Sequence, residues 1–78
     1  MNEPLYPIFL KLRGRRVLVV GGGPMAASKT ASLVAAGADV SVVAPETCEA
    51  IQQQPVAIAR RPFRESDLAG AWLVVAAA

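Results

Sequence analysis

Val17-Leu18-Val19-Val20-Gly21-Gly22-Gly23-Pro24-Met25-Ala26 runs from an unbroken apolar stretch through three glycines into a segment of good helix formers. A run with no polar alternation suits a strand covered on both faces, as in a parallel sheet. The glycine spacing reads G-x-G-x-x-A. Gly21 suits the tight turn out of the strand, Gly23 lets backbone approach a pyrophosphate, and small Ala26 lets helix and strand pack closely. Pro24, near the first helical position, has no N–H to leave unpaired. Free amides and the positive end of the helix dipole then favour an anion at this point. A glycine triplet also serves a purely structural turn, so the flanks decide. Ala27 to Ala36 continue with helix formers, Gly37 supplies a stop, and Asp39 to Val43 resumes as a second strand. This is a βαβ unit, and in it dinucleotide binding is preferred to the structural turn.

Working outward, Arg15 to Val20 is read as the first strand and Ala26 to Ala36 as the first helix. Ala26, Thr30, Leu33 and Val34 face the sheet, with Lys29 outward. A short helix is expected around Cys48 to Gln53, and Pro55 breaks the chain again. Val56 to Ala59 reads as a weaker strand at the sheet edge, Glu65-Ser66-Asp67-Leu68 as a turn of helix, and Ala71 to Ala77 as a fourth strand beside the first. The apolar segment Leu5 to Leu12 reads as an extended lead-in covering the sheet edge. Right-handed crossovers give the strand order 3-2-1-4. The fold class is therefore α/β, a Rossmann-like parallel sheet, with residues 1–78 forming one NAD-binding domain that is truncated after its fourth strand. Ligands of such sheets sit outside the strand carboxyl ends, at the switch between strands 1 and 4. The loop facing the nicotinamide end of a cofactor is expected beyond Ala78, in a longer enzyme of which this is the N-terminal portion.

Composition narrows the function classes. Eight Lys and Arg against six Asp and Glu leave a net charge of +2, with no aromatic interleaving and no basic helix face, so nucleic-acid binding is not indicated. The basic groups are read first as solvated charge, and alternatively as a rim, from Arg13, Arg15 or Arg16, attracting a polycarboxylate substrate. Cys48 is the single cysteine and there is no histidine, which excludes a disulfide within the chain and any imidazole chemistry; no metal ligands are assigned. Cys48 reads as a small helix-face residue, since no base is in view to activate it. A lone thiol fits a reducing cytoplasm. No apolar stretch reaches the length of a membrane span and no basic start marks a signal peptide, so a soluble cytoplasmic protein is expected.

The end of the second strand bears on the cofactor. Rossmann domains usually place Asp or Glu there for the ribose hydroxyls, or a nearby Arg for a 2′-phosphate. Here the segment is Val43-Ala44-Pro45-Glu46, so the acid arrives two residues late. Either Glu46 reaches the ribose or Pro45 shapes the adenine edge of the pocket. The lack of a following Arg or Lys argues against NADP, and Ala44, standing where flavin-binding domains place Glu, argues against FAD. NAD is preferred. The candidate cofactor-binding set is Gly21, Gly22, Gly23, Pro24 and Met25 with Ala44, Pro45 and Glu46.

Pro7-Ile8-Phe9-Leu10, Gly14-Arg15-Arg16-Val17-Leu18-Val19-Val20-Gly21-Gly22-Gly23, Lys29, Ala36-Gly37-Ala38, Val43-Ala44-Pro45-Glu46, Arg61-Pro62-Phe63 and Ala71-Trp72-Leu73-Val74 together resemble the N-terminal part of the siroheme synthase family, the precorrin-2 dehydrogenases found alone or fused to a uroporphyrinogen methyltransferase. The likeness runs along essentially the whole chain, and the Pro-Ile-Phe lead-in and Val-Ala-Pro-Glu turn are more specific than the glycine loop. The resemblance implies NAD-dependent oxidation of precorrin-2 to sirohydrochlorin, often followed by ferrous iron insertion to give siroheme, in a homodimer. It implies NAD contacts from Gly21 to Met25 and from Pro45 and Glu46. Family members commonly carry an acidic residue and Val where this chain has Pro24 and Met25. The family's catalytic Asp falls beyond Ala78, so no residue here is assigned a catalytic role, and the 78-residue chain alone is expected to be inactive. A non-catalytic nucleotide-binding fragment and the start of an FAD oxidoreductase are the alternative readings.

Overall fold

The computed structural model describes residues 12–77. Four strands, β1 (Arg16–Val20), β2 (Asp39–Val43), β3 (Ala57–Ala59) and β4 (Leu73–Ala76), form one parallel sheet in the order β3-β2-β1-β4. Helix α1 (Pro24–Ala35) links β1 to β2, the short helix α2 (Glu49–Gln52) precedes β3, and a 3-10 turn (Glu65–Leu68) precedes β4. The order and each expected element are borne out, with boundaries displaced by one or two residues. The lead-in expected over 5–12 lies outside the described residues except for Leu12, which is fully buried in the core.

Parallel register puts like residues in rows across the sheet. Ile58, Val42, Val19 and Val75 form one such row, on the face that α1 covers. Ala26, Ala27, Thr30 and Leu33 are the buried residues of α1, while Lys29 is exposed, as the helical spacing requires. Thr30 is fully buried and its Oγ1 finds no hydrogen-bond partner among the described residues. The opposite face carries the row Ala57, Ser41, Leu18 and Val74 and is covered less completely: Leu18 is buried, but Val74 is 40% exposed. Among the described residues only α1 is a full-length helix and it covers one face, so the apolar run of β1 overstates how far both faces are enclosed.

The end of α1 shows why β2 starts where it does. Gly37, at φ +86°, donates its N–H to the Val34 carbonyl at 2.9 Å, and Ala38 donates to Leu33 at 3.1 Å. These are the paired bonds of a Schellman stop, which turns the chain in a left-handed conformation that glycine adopts without a Cβ penalty. The reversed chain is then fixed to the start of β1 by Gly14 N–H to Gly37 O and Asp39 N–H to Arg15 O, both 2.8 Å.

Candidate functional site

At the carboxyl end of β1 the backbone leaves the sheet through Gly21, whose φ of +139° is one that L side chains rarely adopt. Its N–H donates to the Val43 carbonyl at 3.0 Å, tying the base of the glycine loop to the end of β2. Gly22 then lies against the turn after β2. A Cβ built on Gly22 would stand 1.8 Å from the Glu46 carbonyl oxygen and 3.0 Å from the Ala44 Cβ, and the Gly22 carbonyl accepts the Cys48 N–H at 2.8 Å. The two segments are therefore one docked unit, possible only because position 22 has no side chain.

Gly23 is different in kind. Its φ of −91° and ψ of −167° are open to any residue, and a Cβ there would meet nothing within 4 Å. It is the N-cap of α1, its carbonyl accepts the Ala27 N–H at 2.9 Å, and Pro24 follows in the first turn. The amides of Gly22, Gly23, Met25 and Ala26 have no backbone acceptor among the described residues. Unpaired donors at a helix start, with no acidic residue in the first turn, form a site of positive potential.

These segments enclose an open cleft of about 520 Å³. Its floor is the ends of three strands, Val20, Val43 and Ala77. The glycine loop from Gly21 through Met25 and the turn docked on it, Ala44, Pro45 and Glu46, also line it. All eight residues of the expected cofactor set thus meet around one space. Ala44 is buried and forms part of the packing, whereas Pro45 and Glu46 are exposed at the rim. Cys48 is the N-cap of α2, half-buried and packed on the core.

Sequence reasoning assigned no role to Phe63, which closes the cleft from the connection after β3. This connection is fixed by a forked ion pair: Arg61 Nη1 donates to Asp67 Oδ2 at 2.8 Å and Nη2 to Oδ1 at 2.5 Å. Asp67 Oδ2 also accepts the Arg64 backbone N–H at 2.7 Å. These bonds, that of the Arg61 side chain foremost, lower the Asp67 carboxyl to about 2, and the Arg61 guanidinium is raised in turn, chiefly by its bond to Asp67. The available signal was the spacing of an arginine and an aspartate around Pro62-Phe63.

Of the two readings of Arg13, Arg15 and Arg16, solvated charge fits and the alternative, a rim for a polycarboxylate substrate, does not: they are exposed at the amino end of β1, and β1 runs about 13 Å before reaching the cleft. Their partners are local: Arg15 stacks over the Trp72 ring at 5.0 Å, and Arg16 Nε stands 4.0 Å from Asp39 Oδ2. Among the described residues no cluster of three or more His, Cys, Asp or Glu could hold a metal, and no helix is long and apolar enough to cross a membrane.

A family model described as "Putative NAD(P)-binding" matches residues 8–78. The chain belongs to this NAD(P)-binding family. Among the relatives of this NAD(P)-binding chain is the siroheme synthase of Photorhabdus laumondii subsp. laumondii, 47% identical over 75 residues, which cover 91% of this chain and 16% of that protein. The siroheme synthase of Ectopseudomonas mendocina is 48% identical over 73 residues, again 91% of this chain and 16% of the relative. Among solved structures, "SirC, precorrin-2 dehydrogenase" superposes with a TM-score of 0.83 at 34% identity, over 94% of this chain and 39% of that one. The NAD(P)-binding chain thus spans about a sixth of the siroheme synthases' length and two-fifths of the solved structure's.

Proposed function

We propose that this chain is the NAD-binding portion of a precorrin-2 dehydrogenase, the oxidoreductase that converts precorrin-2 to sirohydrochlorin in siroheme biosynthesis. The observation that carries the reading is the docking of Gly22 onto the Ala44–Glu46 turn, which builds a cleft between a strand-to-helix glycine loop and the end of β2. Such a crevice, at the carboxyl ends of parallel strands and beside a helix start, suits a dinucleotide. The residues fit that group: Gly22, Gly23 and Met25 line the cleft with amides that have no backbone acceptor and would suit a pyrophosphate, open space at Gly23 lets it approach, and Pro45 and Glu46 border the adenosine side. NAD, when bound, supplies the hydride acceptor. The residues lining the cleft contribute binding and orientation, none of them is assigned a proton-transfer role, and the 78-residue chain alone is inactive.

NAD is favoured over NADP because a 2′-phosphate near the strand end would meet the Glu46 carboxylate, with no cation among the cleft-lining residues to pair it. The substrate is a polycarboxylate tetrapyrrole, and its carboxylates find no counter-charge in Arg13, Arg15 and Arg16. We further infer a cytoplasmic homodimer when the chain is complete, with ferrous iron as a second substrate where insertion follows oxidation. The test is NAD reduction by the full-length protein supplied with precorrin-2, beside a Gly21→Val variant. Branching at the +139° position blocks the loop, so the variant should lose NAD affinity and turnover together. Undiminished affinity in this variant would overturn the assignment.

A further inference from the structure

Phe63 is a large aromatic side chain left 42% exposed, yet it is neither on the sheet nor part of the core. It lines the same cleft as the glycine loop, from the connection that follows β3, the edge strand beside β2. Val43, Ala44 and Pro45 give the same cleft apolar lining. An unpaired aromatic beside an apolar slot, away from the switch point between β1 and β4, fits a flat heteroaromatic ring better than a phosphate or a carboxylate.

Its placement is fixed by chemistry on both sides. The Arg61 fork and the Arg64 N–H converge on the two oxygens of Asp67, so Pro62-Phe63 is bracketed by three hydrogen bonds. Asp67 is 9% exposed at its side chain, and Pro62 restricts the backbone before Phe63. A ring held in this way loses little freedom when a ligand stacks on it.

We propose that Phe63 stacks on the adenine ring of the bound dinucleotide and that the Arg61–Asp67 ion pair acts as its positioning device. The inference rests on the dinucleotide reading above. It divides the cleft by chemistry: backbone amides at the glycine loop take the pyrophosphate, and Phe63 with Pro45 takes the base.

The test is calorimetric titration of the full-length protein with NAD, AMP and nicotinamide mononucleotide. Base–aromatic stacking is worth enough that Phe63→Ala should weaken NAD and AMP about tenfold. Nicotinamide mononucleotide, which lacks adenine, should bind as before. Phe63→Tyr should keep wild-type affinity, and Phe63→Leu, which retains bulk without an aromatic face, should lose most of what Phe63→Ala loses. Arg61→Ala should weaken AMP severalfold, Arg61→Lys should recover part of that loss, and combining Arg61→Ala with Phe63→Ala should add nothing to Phe63→Ala alone. AMP affinity within twofold of wild type in Phe63→Ala, or an equal loss for AMP and nicotinamide mononucleotide, overturns the proposal. Failure of the wild type to bind NAD, or NAD binding untouched by Gly23→Val, instead overturns the site on which the proposal rests.

Discussion

Two neighbouring glycines, each changed to alanine, should affect stability very differently. At Gly22 the new methyl would sit 1.8 Å from the Glu46 carbonyl oxygen, a backbone atom that cannot swing away as a side-chain tip could. Relieving the overlap means separating the loop from the turn, which costs about 1–3 kcal/mol as overpacking. It also strains the 2.8 Å bond from Cys48 N–H to the Gly22 carbonyl, a further contribution of about 1 kcal/mol. The reduced entropy of the unfolded chain offsets about 0.4–1 kcal/mol. The net destabilisation of Gly22→Ala is therefore about 2 kcal/mol, or about 10 °C in Tm for a domain of this size. At Gly23 the backbone is ordinary and the space is open, so the entropy gained by Gly23→Ala is offset by alanine's poorer fit at the N-cap, and stability should stay within about 0.5 kcal/mol of wild type while a methyl enters the cleft. Thermal and urea unfolding of the two variants, paired with NAD titration, checks this. Gly22→Ala should lose stability and affinity, and Gly23→Ala should lose affinity alone. A Gly22→Ala protein as stable as wild type, or a Gly23→Ala protein destabilised to the same extent, would refute the reasoning.

Three further outcomes follow from other parts of the structure. The Asp67 carboxyl is lowered in the fold to about 2, so its contribution is complete above the ordinary carboxylate range and is lost as pH falls towards 2. Tm profiles of wild type and Asp67→Asn should differ at neutral pH and converge near pH 2, and curves that stay parallel down to that pH would remove the ion pair from the account. Gly37→Ala forces a Cβ into the φ +86° stop, 3.3 Å from Arg13 Cγ, and should destabilise by about 1–2 kcal/mol without altering cofactor affinity until the fold is lost. Glu46→Arg should raise NADP affinity relative to NAD by replacing repulsion of a 2′-phosphate with attraction; an unchanged ratio would place the ribose away from Glu46.

The sheet was legible because its determinants are local. β1 is apolar from Val17 to Val20 and β2 carries Val40, Val42 and Val43 around Ser41, Gly37 marks the stop between them, and Pro24 marks the helix start, so the βαβ unit and the strand order follow from short-range signals and crossover handedness. The eight candidate cofactor residues meet around one cleft for the same reason, since they lie at or just after strand ends that parallel pairing brings side by side. Two features depended on direction and on distance instead. Arg13, Arg15 and Arg16 are near the glycine loop in sequence, but β1 carries the chain away from them, so they sit at the amino end of the sheet, where Arg15 meets Trp72 and Arg16 meets Asp39. Phe63 sits in a polar connection with no periodicity to assign it a face. Its approach to the cleft depends on the Arg61–Asp67 fork, a contact that charge spacing alone leaves ambiguous among neighbours such as Arg60, Arg64 and Glu65.

The most direct test of the central claim is a residue-by-residue map of backbone amide shifts in the isotope-labelled protein as NAD is added. The account predicts saturable shifts at Gly22, Gly23, Met25 and Ala26, with Ala44 and Glu46 moving alongside them, while Arg13, Arg15 and Arg16 at the amino end of the sheet stay in place. Shifts concentrated at those arginines, or a glycine loop unmoved while NAD binds, would contradict it.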